Sequence, residues 1–130
     1  MQSINKQINF WRKSAERDFQ TALGLFKIKR YDACLFFCHL CLEKVLKGLV
    51  VKRVKKAAPF VHDLERLAVL AKLELDDNQL KDLRVITGFN VSARYDVVKD
   101  SFYKKCNRNY VNKYLNITKD LHLCLVKKYR

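Results

Sequence analysis

Residues 31–54 hold the feature that most limits what this chain can become. After Tyr31 and Asp32 the sequence reads ACLFFCHLCL, apolar at ten consecutive positions except for His39. Wound as a helix, that run is apolar on every side, so other elements must cover it all round. Its continuation, EKVLKGLVVKRV, keeps Leu42, Leu46 and Leu49 on one side while Glu43, Lys44, Lys47 and Lys52 appear on the other. The spacing predicts one central helix over 31–54, with Asp32 as its N-cap, and the GLVV segment belongs to it despite its strand propensity.

The neighbours that would cover such a rod are also helical. Ile4, Ile8, Trp11, Ala15, Phe19, Ala22 and Phe26 recur at three- and four-residue steps, predicting a first helix over 4–29 capped by Ser3. Pro59 marks the one clear break. A short third helix is expected over 62–72, with Leu64, Leu67, Ala68 and Ala71 inward. A fourth is expected to open on the Asp76–Gln79 capping box and to end at Gly88 or Asn90. An irregular stretch, NVSARYDVVKD, leads to a last helix over 101–128. Three glycines and one proline in 130 residues are too few for the turns of a sandwich, a barrel or a doubly wound fold. The fold class is therefore all-α, an up-and-down bundle of about five helices in a single domain.

Charge is one-sided: 27 Lys and Arg against 13 Asp and Glu, a formal +14. It is also uneven. Residues 57–82 are net acidic, whereas residues 44–56 hold six bases and no acid. Such an imbalance favours an acidic partner, whether nucleic acid, nucleotide, acidic protein or anionic surface. The start, MQSINKQINFWRK, has no apolar signal core, and no stretch is long and apolar enough to span a membrane. Cytoplasmic location is the expectation, with the five cysteines as free thiols.

Cys34, Cys38 and Cys41 repeat the CxxxCxxC spacing of an iron–sulfur loop, but inside a helix the outer two are separated by about 10.5 Å of rise. They cannot converge on one cluster, and no fourth ligand for zinc is spaced with them. No metal or cofactor is expected. With Val45 and Gly48 they instead form a slim stripe along which another helix, from this chain or a second subunit, can approach closely.

His39 stands one turn before Glu43, a pairing that suits a general base and equally a satisfied core histidine. His62 opens the third helix, where free backbone N–H groups favour anions. Lys44, Lys47 and Lys55 are the expected cations of a basic groove, with Arg94 and Tyr95 as contacts to phosphate and base.

Several segments together resemble the HEPN domain, a small helical bundle named for nucleotide binding in prokaryotes and higher eukaryotes. They are Trp11, Ala15 and Asp18 in the first helix, YDACLF over 31–36, EKVLKGL over 43–49, PFVHDL over 59–64 and ARYD over 93–96. Asp96 stands where the family commonly has proline, and the resemblance covers about residues 8–126. It implies a helical bundle, usually dimeric, often acting beside a small nucleotidyltransferase and sometimes within a toxin–antitoxin pair. Some members are metal-independent ribonucleases with an Arg-x(4–6)-His motif. This chain lacks it, since none of His39, His62 and His122 has an arginine five to seven positions earlier. Its nearest approximation is Arg108 and Asn109 with Tyr114, and a phenol of pKa near 10 is a poor base at neutral pH. The expectation is a non-catalytic domain binding nucleotide, RNA or a nucleotidyltransferase partner. The alternatives are an RNA endonuclease centred on Arg108, Asn109 and Tyr114, and a purely structural dimerising module.

Overall fold

A computed structural model describes residues 3–92 and 96–130, the side chains of 96–100 excepted. These residues form α1 (Ile4–Lys27), α2 (Tyr31–Val54), α3 (Leu64–Leu70), α4 (Asp77–Ser92), α5 (Asp96–Lys105) and α6 (Arg108–Val126), followed by a 3-10 turn, Lys127–Tyr129. There is no strand among the described residues, and none of their helices is long and apolar enough to cross a membrane. The bundle is all-α, with six helices where five are expected.

As its all-round apolar sequence requires, α2 is central. Cys34, Leu35, Cys38, His39, Cys41, Leu42, Val45, Leu46 and Val51 are fully buried along it. The α1 helix runs antiparallel to α2, with Phe26 against Tyr31 at one end and Trp11 against Gly48 at the other. Buried Thr118 lies on α6, and Tyr129 beyond that helix donates its hydroxyl to the Val45 carbonyl at 2.6 Å. The slim stripe of α2 is thus shared by α1 and the C-terminal segment of this same chain.

Helices α3 and α4 cover the remaining side. They are tied by Leu64 N–H to Thr87 Oγ1 at 3.0 Å and by a two-pronged Arg84–Glu65 pair at 3.0 and 2.7 Å. The capping box at Asp76 and Gln79 closes in both directions, at 2.7 and 3.1 Å.

Four local expectations are corrected. The residue preceding α2 is Arg30, and Asp32 lies inside the first turn without capping it. The third helix spans Leu64–Leu70, not 62–72, because Asp63 is its cap and takes the Glu65 and Arg66 N–H groups. Helix α4 passes through Gly88 and Asn90 to Ser92, as neither residue takes the left-handed conformation that would stop it. The last helix is two, because Asn107 caps a new start by accepting from the Tyr110 N–H at 2.9 Å. The stretch expected to be irregular is therefore helical on both sides of residues 93–95.

Three helices end on a lysine in the left-handed region: Lys29 after α1, Lys55 after α2 and Lys72 after α3, with φ of 63°, 61° and 55°. Glycine usually fills this place. A lysine there carries some strain but sets its charge beside the negative end of the helix dipole.

Candidate anion-binding site

Antiparallel packing brings the start of α1, the end of α2 and the end of α6 to one end of the bundle. The last turn of α2 carries Lys52 and Arg53, and the chain leaves it at Lys55, whose N–H bonds the Val51 carbonyl at 2.9 Å. Ala71 and Leu73, after α3, return beside it. The result is a cleft of about 380 Å3 lined by Leu49, Lys52, Arg53, Lys55, Ala71, Leu73 and Lys128. Four lining residues are cationic, three are apolar, and none is acidic.

Lys52 is fixed there. Its Nζ donates to the carbonyls of Lys128, Tyr129 and Arg130 at 3.3, 2.6 and 3.1 Å. Those three bonds take all three N–H donors of the ammonium, so Lys52 anchors the C-terminal turn and forms the wall of the cleft.

The other expected cations do not join this cleft. Lys44 pairs with Asp18 of α1 at 2.7 Å. Lys47 is buried, 3.0 Å from Glu43 Oε2 and over the Trp11 ring at 5.6 Å. Along α2, Lys44 and Lys55 are separated by about 16 Å of rise. The three lysines do not converge on one groove. Only Lys55 borders the cleft, while Lys52, Arg53 and Lys128 are its unforeseen members. The six-base run on α2 signals two of these, but Lys128 arrives through tertiary packing alone.

His62 belongs to a separate cluster. Its Nδ1 donates to Glu43 Oε1 at 2.8 Å, and its backbone carbonyl accepts from His39 Nε2 at 2.9 Å. His39 is 3.7 Å from Glu43, so its short bond goes to the segment before α3 rather than to the carboxylate on its own helix. Burial pushes the Glu43 carboxyl up, but the His62 and Lys47 hydrogen bonds outweigh it and hold it below its ordinary value. The expected anion site at the start of the third helix is not formed, since Asp63 and Thr87 already take the N–H groups of residues 64–66.

Arg94 and Tyr95 lie outside the described residues. Arg108 and Tyr114 point apart, about 120° from one another around α6. The guanidinium of Arg108 lies 5.5 Å from the Phe26 ring, while Tyr114 packs against Phe89 and Tyr110 at 5.4 and 5.0 Å. Burial pushes the Tyr114 phenol up, further from the range of a base. Asn109 is exposed on the first turn of α6. No group of three or more His, Cys, Asp or Glu side chains suited to a metal ion occurs among the described residues.

Fold and site together define an antiparallel all-α bundle with a cationic cleft at one end. The chain belongs to the HEPN domain family, which it matches over residues 8–129. It is similar in fold to TT1696 from Thermus thermophilus, whose crystal structure aligns with a TM-score of 0.79 at 18% identity. That alignment covers 94% of this chain and 98% of the other. No protein of curated function matches the sequence.

Proposed function

We propose that this HEPN-domain protein binds the phosphate of a nucleotide or nucleic acid, without catalysis, in the cleft at the end of α2. The supporting observation is the lining itself: Lys52, Arg53, Lys55 and Lys128 around an apolar floor of Leu49, Ala71 and Leu73. Phosphate oxygens suit the cations, and a base or sugar face suits the floor. The homodimer, the nucleotidyltransferase partner, the toxin–antitoxin setting and the cytoplasmic location belong to the same proposal, supported by family membership.

Calorimetric titration with a nucleoside diphosphate at low and moderate salt tests the reading. Binding that weakens with salt and is lost in the R53E/K55E variant is expected. Binding unaffected by either change rejects the cleft.

A further inference from the structure

A second cleft, of about 350 Å3, opens between the later turns of α4, the end of α5 and the first turn of α6. Its floor is aromatic. Phe89 and Phe102 meet with ring centroids 5.7 Å apart, and Tyr110 stands nearly perpendicular to Phe89 at 6.3 Å. Both phenylalanines are buried, so the core holds these two rings in place. At Gly88 the α4 side of the cleft carries no side chain, and a Cβ built there meets no atom within 4 Å.

The rim is polar and carries a single charge. Ser92, Ser101 and Lys105 line it, and none of the lining residues is acidic. The Lys105 ammonium lies 5.3 Å from the centre of the Tyr110 ring and has no carboxylate partner among the described residues. The hydroxyls of Ser92 and Ser101 are likewise uncommitted among those residues. Residues 101–119 hold five bases and no acid, so the surroundings reinforce the positive potential.

One ammonium and two hydroxyls make a donor set that matches the two oxygens and single charge of a carboxylate. The phosphate cleft is different, with four basic residues and no aromatic ring among its lining. An aromatic floor favours a flat ring, which gains from offset or edge-on contact with Phe89, Phe102 and Tyr110. From Tyr110 to Val126 the α6 helix rises about 24 Å, which sets the two clefts at opposite ends of the bundle.

We propose that this cleft binds a small aromatic carboxylate, its ring on Phe89, Phe102 and Tyr110 and its carboxylate on Lys105, Ser92 and Ser101. The site is independent of the phosphate-binding reading, and either can fail without the other.

The test is amide chemical-shift mapping of the labelled protein with indole-3-carboxylate, beside its uncharged analogue indole-3-carboxamide. The carboxylate should move the amides of residues 85–92 and 101–110, and the carboxamide should bind about tenfold more weakly. Lys105→Met, a change at an exposed side chain, should weaken the carboxylate by about tenfold, and R53E/K55E should leave it unchanged. Gly88→Leu should fill the cleft and abolish binding without lowering the melting temperature. Should that variant melt early, Lys105→Met carries the test alone. Equal affinity for the carboxamide, indifference to Lys105→Met, or no shifts at millimolar ligand overturns the site. Shifts centred on residues 49–55, or displacement of the carboxylate by a nucleoside diphosphate, would assign the anion to a phosphate site and overturn it equally.

Discussion

Glu43 and His62, nineteen residues apart, share a 2.8 Å hydrogen bond that fastens the segment before α3 onto the central helix. Lys47 holds the other carboxylate oxygen at 3.0 Å, and His39 holds the His62 carbonyl. Glu43 and Lys47 are each only 6% exposed. Replacing Glu43 by alanine strands a buried ammonium and should cost about 3–5 kcal/mol in chemical denaturation, whereas a Glu43→Leu/Lys47→Met double variant should recover most of that loss.

The same carboxylate sets an acid limit. Its folded pKa lies below the ordinary 4.5, so ionised Glu43 stabilises the fold above pH 4.5. That contribution is lost as the pH falls through the folded value. His122 acts earlier. Burial depresses its pKa below 6.5, so protons favour the unfolded chain and stability falls as the pH drops below about 6.5. Melting curves from pH 8 to pH 3 should show both losses, and a His122→Asn variant should lack the first.

Gly48 lies where α1, α2 and the C-terminal turn meet. A Cβ there would collide with the Tyr129 hydroxyl, and would stand 2.9 Å from Tyr129 Cζ and 3.0 Å from Trp11 Cβ. Gly48→Ala should therefore displace Tyr129, break its bond to the Val45 carbonyl and lower stability by roughly 1–3 kcal/mol. A Gly24→Ala control, with open space around its Cβ, should stabilise α1 by roughly 0.5–1 kcal/mol.

Lys72 ends α3 at φ 55° and lines neither cleft. Substituting glycine removes the left-handed strain at some cost in chain entropy, a net gain of roughly 0.5 kcal/mol in thermal or chemical unfolding. No gain would mean that the lysine charge at the helix end already offsets the strain.

The thiols should be inert in the native protein. Cys34, Cys38, Cys41 and Cys106 are buried, and burial pushes Cys106 up to about 11. Only Cys124 is partly accessible. A thiol reagent at pH 8 should modify one cysteine quickly and the other four on unfolding. Fast reaction of more than one would contradict the packing of the α2 stripe.

Much of the architecture was legible in the residues, and the exceptions have physical causes. The three-four rhythm places α1 and α2 within two residues of their observed ends, Ser3 and the Asp76 box mark the starts of α1 and α4, and Pro59 falls in the break between α2 and α3. Gly88 and Asn90 misled because they permit a helix end without enforcing one. Asn107 carries no signal of its own, because a cap inside a periodic stretch is indistinguishable, by pattern alone, from a helical surface residue. The site was less legible. The partner of Lys44 is Asp18, twenty-six positions earlier, and no local pattern announces that the two will neutralise each other. Lys128 lies far from the α2 cations in sequence and meets them only through the packing of the C-terminal turn against α2. His122 sits in an unremarkable helical stretch, where only the packed structure shows that Nε2 has no partner.

The central claim is that phosphate binds at the end of α2 and not along its middle. Amide chemical-shift mapping of the labelled protein with a nucleoside diphosphate at low salt tests it most directly. The largest shifts should fall on residues 49–55, 71–73 and 126–130, and they should shrink as salt is added. Shifts centred on Lys44, Lys47 and His62 instead, or none at millimolar ligand, would contradict it.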